Sequence, residues 1–158
     1  MLQPIYDEDD KRANAVSAET DMMKLYSQRI LALAADMPRT DRLKTPTATA
    51  KRRAPLCGST VTVDVIVVDG KVTDYGQDVK ACALGQAAAA VVGASIVGLT
   101  PAQIQTGRDQ MFVMLTAGGP PPEAPFDGLE VLLPARDYKN RHASIMLAFE
   151  ATLDALNT

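Results

Sequence analysis

Thr60 to Val68 (TVTVDVIVV) is β-branched at every position but Asp64, and Asp69-Gly70 and Lys71 to Tyr75 follow it directly. Branched side chains lose little on a pleated surface and crowd a helix. An Asp-Gly pair supplies the positive φ values that a two-residue turn demands, so the segment reads as a β-hairpin. A lone hairpin is marginal in water and needs a further strand or a helix on its apolar face. The rest of the chain is therefore read for what completes it.

The stretch before the hairpin, residues 39–53 (RTDRLKTPTATAKRR), is basic and carries a Thr-Ala alternation. It reads as a short edge strand whose lysines and arginines keep other chains from pairing with it. A docking surface for an acidic partner is the alternative. Upstream, Ser17 resembles a helix N-cap, and Met23, Tyr26, Ile30, Leu33 and Ala34 recur at helical spacing until Pro38. Residues 1–17 are polar and aperiodic and read as a mobile tail ahead of one domain over 18–158.

After the hairpin, Cys82 opens CALGQAAAAVVGASIVGL, a helix of small residues with Gly98 as a candidate C-cap. Thr100-Pro101 starts another helix running to about Thr116, with threonine as N-cap and proline in the first turn. GGPPPEAPFDG is a loop, and Glu130 to Leu133 reads as a short extended piece before Pro134. The last helix begins near Tyr138, with Ile145, Met146, Phe149, Leu153 and Leu156 along one face. The expected fold is α+β: a small antiparallel sheet of about three strands with helices packed on one face.

Charge narrows the function. The net charge is −3, against the clustered positive charge that nucleic-acid binding requires. No apolar run of membrane-spanning length appears and the acidic N-terminus lacks a signal-peptide core, so the expected location is the cytoplasm, with reduced thiols.

The only two cysteines, Cys57 and Cys82, and the only histidine, His142, each fall where a predicted strand or helix begins. Thiolates and neutral imidazole hold zinc and iron readily, so the three form a candidate metal site. Asp78 and Asp137 are candidate fourth ligands. At Cys82 the first turn of a helix favours thiolate over thiol. Each residue also has a structural reading, as a small buried hydrophobe or a hydrogen-bonded boundary histidine.

The run APLCGSTVTVDVIVVDGKVTDYGQDVKACALGQAAAA resembles the core of the U-type iron–sulfur scaffold proteins (IscU, SufU and the N-terminal domain of NifU). That family has a Pro-x-Cys-Gly-Asp motif before a hairpin, a second cysteine opening the next helix, and a third at the head of the C-terminal helix. Leu25-Tyr26-Ser27 with Pro38, and ARDYKNRHASIMLAFEA, are similar to the family's first and last helices. By this resemblance Cys57 and Cys82 match the first two cysteine ligands. Ser59 stands in place of the motif's aspartate. At the last helix, either His142 matches the family's histidine and Ala143 replaces the cysteine, or Arg141 matches an arginine and Ser144 replaces it. The long, proline-rich stretch before that helix looks more like SufU.

The resemblance implies a scaffold or carrier in iron–sulfur cluster assembly rather than an enzyme. It would hold iron, sulfide or sulfur transiently at Cys57, Cys82 and His142, with Cys82 accepting the sulfur. The implied cofactor is a transient iron–sulfur cluster, or zinc in a sulfur acceptor that stimulates a cysteine desulfurase. Implied partners are a cysteine desulfurase and acceptor apo-proteins, with no nucleic acid or membrane, for a monomer or weak homo-oligomer. A degenerate scaffold that binds proteins through Arg39 to Arg53 is a further alternative.

Overall fold

In the computed structural model, which describes residues 26–158, the hairpin turn has the geometry its residue types require. Asp69 and Gly70 both take positive φ, 52° and 77°. Three strands, β1 (Ala48–Arg53), β2 (Thr60–Val68) and β3 (Lys71–Lys80), form one antiparallel sheet with β2 at its centre. The basic stretch does supply the edge strand. β3 continues past Tyr75 because Gly76 and Gln77 find ladder partners in Asp64 and Val63. That extension carries the chain to the start of the next helix.

Four α-helices are described: α1 (Gln28–Ala35), α2 (Ala83–Ser95), α3 (Pro101–Thr116) and α4 (Lys139–Leu156). The hydroxyl of Ser27 caps α1, accepting from the Ile30 N–H at 3.3 Å. The expected cap Ser17, Met23 and the tail over 1–17 lie outside the described residues. Thr100 caps α3 in a reciprocal box: its hydroxyl accepts from the Gln103 N–H, and the Gln103 side chain accepts from the Thr100 N–H. α2 ends at Ser95 rather than at Gly98. The Gly98 N–H instead donates to the Val72 carbonyl at 2.7 Å, tying the connection to β3.

The extended piece expected at Glu130 to Leu133 is instead part of a 3-10 helix over Asp127–Asp137. Phe126, Leu129, Leu132 and Ala135 recur every third residue, and all four are buried. Residues three apart eclipse in a 3-10 helix, so this spacing gives one continuous apolar edge. A strand would have turned half of them to solvent.

Val61, Val63 and Val65 are buried on the helix side of the sheet, where α4 lies across β1 and β2 and α2 packs against α4 and β3. On the opposite face sits a buried charge. The Asp64 carboxylate accepts from Arg42 Nε at 2.6 Å, Arg42 Nη2 at 3.1 Å, the Leu43 N–H at 3.0 Å and the Thr49 hydroxyl. Burial alone would push this carboxyl up, but the hydrogen bonds from Arg42, Thr49 and the Leu43 amide outweigh it and hold it below the usual range.

Asp64→Ala should cost about 2 kcal/mol, since several charge-assisted hydrogen bonds vanish together. A carboxyl held low in the folded state stabilises above its unfolded pKa, and that stability is lost as pH falls through the folded value. Denaturant unfolding across acidic pH should therefore show a shallower acid-side loss in Asp64→Asn than in wild type.

Candidate functional site: two thiols bridged by two hydroxyls

Cys57 sits in the turn between β1 and β2. The Ala54 N–H donates to the Ser59 carbonyl at 2.8 Å and the Gly58 N–H to the Ala54 carbonyl at 3.0 Å, closing the turn. Gly58 has φ 72°, a left-handed conformation in which most side chains would be strained. The thiol is exposed. Cys82 is the N-cap residue of α2, and its carbonyl accepts from the Gln86 N–H at 2.9 Å. Its side chain makes no capping bond.

Helix α4 brings the remaining pieces. A Cβ on Gly85 would stand 2.7 Å from Ser144 Oγ and 2.9 Å from Ala81 Cβ, so only glycine lets α4 approach α2 this closely. Ser144, 1% exposed, enters the gap. Its hydroxyl donates to Ser59 Oγ at 3.2 Å and lies 3.7 Å from the Cys82 sulfur. The Cys57 sulfur is 3.1 Å from the same Ser59 Oγ. A continuous line of contacts, Cys57–Ser59–Ser144–Cys82, thus joins two thiols that flank the open end of the hairpin.

The hydrogen bond from the Ser59 hydroxyl, followed by that from its backbone N–H, favours the Cys57 thiolate more than burial opposes it. The Cys57 thiol is held below its ordinary value. These hydrogen bonds converge on Cys57.

His142 does not join the two cysteines. Its Nε2 lies 3.0 Å from the Ala135 carbonyl and 3.1 Å from the Arg136 carbonyl, bonds only a protonated Nε2 can donate. The reason is local: a 3-10 helix ends there, and its last carbonyls need donors. Asp78 is exposed on the sheet face away from the helices, where its charge adds to that of Asp64 beside Arg42. Asp137 is exposed at the end of the 3-10 helix. Among the described residues, no three His, Cys, Asp or Glu side chains gather to form a metal-holding group. A resident zinc, which takes at least three protein donors, does not fit this set.

Ser59 and Ser144 entered the sequence analysis only as substitutes for a family aspartate and cysteine, yet they are the contacts that assemble the site. The signal available was position. Ser144 stands one turn before Ala148, on a helix face that is otherwise apolar. Of the two possible registers at this helix, Ser144 meets the thiols, whereas Ala143 lines a groove with Pro55 and Met146.

Ser59→Ala should raise the Cys57 pKa and slow its alkylation by iodoacetamide near neutral pH by about threefold to tenfold, because the thiolate loses its main donor. Gly85→Ala should destabilise the fold by about 1–3 kcal/mol through overpacking. Thermal unfolding and alkylation rates against pH check both.

No family model and no curated protein matches the chain. Solved structures do. The crystal structure of a nitrogen-fixing NifU-like protein (N-terminal) from Brucella abortus is 43% identical with a TM-score of 0.85, covering 87% of this chain and 95% of that one. A protein proposed as the iron–sulfur cluster assembly scaffold of the SUF system in Fervidobacterium islandicum AW-1 is 18% identical with a TM-score of 0.75, covering 85% and 98%. The second likeness shows the shared fold alone. The first, at its identity and near-complete coverage, shows the family: this chain belongs to the U-type iron–sulfur scaffold family, with the NifU-like N-terminal domain as a relative.

Proposed function

We propose that the chain is a scaffold or carrier in iron–sulfur cluster assembly, with Cys57 and Cys82 as its working thiols. The supporting observation is their connection through Ser59 and Ser144, in a chain 43% identical to a NifU-like domain. Two thiolates are half of the four protein ligands a cysteine-held cluster takes. Small thiols or a partner would fill the other positions, so a cluster here is weakly held. That suits cargo that must leave again. The protein then performs no turnover of its own: a cysteine desulfurase supplies sulfur and acceptor apo-proteins take the product.

Sulfur transfer without metal is a second reading, favoured by the donors that surround the Cys57 sulfur. The Cys57 thiolate would attack the terminal sulfur of the desulfurase persulfide. A new S–S bond forms at Cys57, the desulfurase S–S bond breaks, and the desulfurase cysteine leaves as a thiolate.

Anaerobic reconstitution with ferrous iron, sulfide and a small thiol should give visible charge-transfer absorption in the wild type, and Cys57→Ala should lose it. Absence of that absorption in wild type, with one added sulfur on Cys57 by mass spectrometry after exposure to desulfurase and cysteine, would select the second reading. Absence of both would refute the two together.

A further inference from the structure

The chain holds two thiols and no third, and they lie at unequal depth. Cys57 is exposed, whereas Cys82 is half-buried at the N-cap of α2. Thr60 pairs across the sheet with Lys80, so the cysteines stand three residues before and two residues after the last rung of the β2–β3 ladder. Both are free.

Two hydroxyl groups lie along the line between the sulfurs. Ser144 gives its one proton to Ser59 Oγ, so toward the Cys82 sulfur, 3.7 Å away, its oxygen can only accept. The Cys82 S–H therefore points at Ser144, which is buried and held in place by the close approach of α4 to Gly85. Cys57 is less tightly bound. It belongs to no strand or helix, and its neighbour Leu56 is 84% exposed. A Cβ on Gly58 would meet only the Arg53 guanidinium, at 3.7 Å, so no core side chain wedges this turn. One thiol is thus fixed at the helix start, and the other is carried on a turn beside it.

We infer that Cys82 is the resolving thiol for sulfur held on Cys57, releasing that sulfur as hydrosulfide and leaving a Cys57–Cys82 disulfide. The inference rests on the sulfur-transfer reading above. The Cys82 sulfur attacks Cys57 Sγ of the persulfide. An S–S bond forms between the two cysteines, the bond from Cys57 to the terminal sulfur breaks, and the terminal sulfur leaves with the Cys82 proton as hydrosulfide. The electron count closes. Sulfur delivered as a persulfide is two electrons short of the sulfide that a cluster contains, and two thiols joining as a disulfide supply two. A dithiol reductant then reopens the disulfide for another cycle. The unequal exposure suits this division of labour: the exposed thiol meets the donor, and the recessed one meets only what Cys57 has received.

The test loads the reduced full chain with limiting inorganic polysulfide under anaerobic conditions, desalts it, and follows it by mass spectrometry after alkylation and by sulfide assay. Wild type should release one hydrosulfide for each intramolecular disulfide formed, with no added reductant and at a rate independent of protein concentration. Cys82→Ser, which keeps a good N-cap residue, should retain the added sulfur on Cys57 about tenfold longer or more. Circular dichroism confirms that the variant is folded. If Cys82→Ser releases hydrosulfide as fast as wild type, or if wild type keeps its persulfide beside a free Cys82 thiol, the inference is overturned and the sulfur-transfer reading stands. Sulfur found on Cys82 instead of Cys57, or disulfides formed only between two chains, also overturns it. If neither thiol takes up sulfur, the inference and the sulfur-transfer reading fall together.

Discussion

Everything at the site depends on how closely α4 can lie against α2, and Gly85 sets that distance. With a hydrogen in place of a methyl group, the Ser144 hydroxyl fits between the helices and reaches both the Ser59 oxygen and the Cys82 sulfur. Close-packed interiors do not absorb an extra carbon at such a spot without moving a helix. The β1–β2 turn is held against the same helix end through Ser59. A single packing contact therefore determines whether Cys57 and Cys82 share one site or remain two unrelated thiols.

The chemistry of that site follows from what the two hydroxyls can and cannot do. A hydroxyl donates to an anionic sulfur and so favours thiolate at Cys57, but it stays protonated near neutral pH and makes a poor metal donor. The site is consequently rich in sulfur and poor in strong ligands. Under the proposed function, that balance suits cargo that comes and goes over a permanently bound ion. The surrounding charge is divided in the same spirit, with some arginines committed to the fold at Asp64 and Asp74 and others gathered by the thiol turn.

Much of this was legible in the residue order because it rests on local rules. Asp69-Gly70 requires positive φ, Thr100-Pro101 caps a helix, and the β-branched run prefers a pleated surface, each within a few residues. The misreadings share a cause. Glu130 to Leu133 looked extended until Phe126 and Ala135 showed the period of three, which only burial against the helices makes favourable. His142 heads an apolar face, as its spacing indicated, but its ring answers the carbonyls of a 3-10 helix that spacing did not reveal.

By itself the amino-acid order determined the hairpin, the edge strand, the capped helices and the placement of each cysteine at an element boundary. Backbone preferences and side-chain shape act over short range, so no knowledge of the whole was needed. Only the folded molecule decided which scarce residues meet. Cys57, Ser59, Cys82 and Ser144 come together because two helices and a turn pack within a few ångströms of one another, while the His142 Nε2 lies against the carbonyls that end the 3-10 helix. Distances between residues far apart in the chain are set by packing, and packing is a property of the whole core.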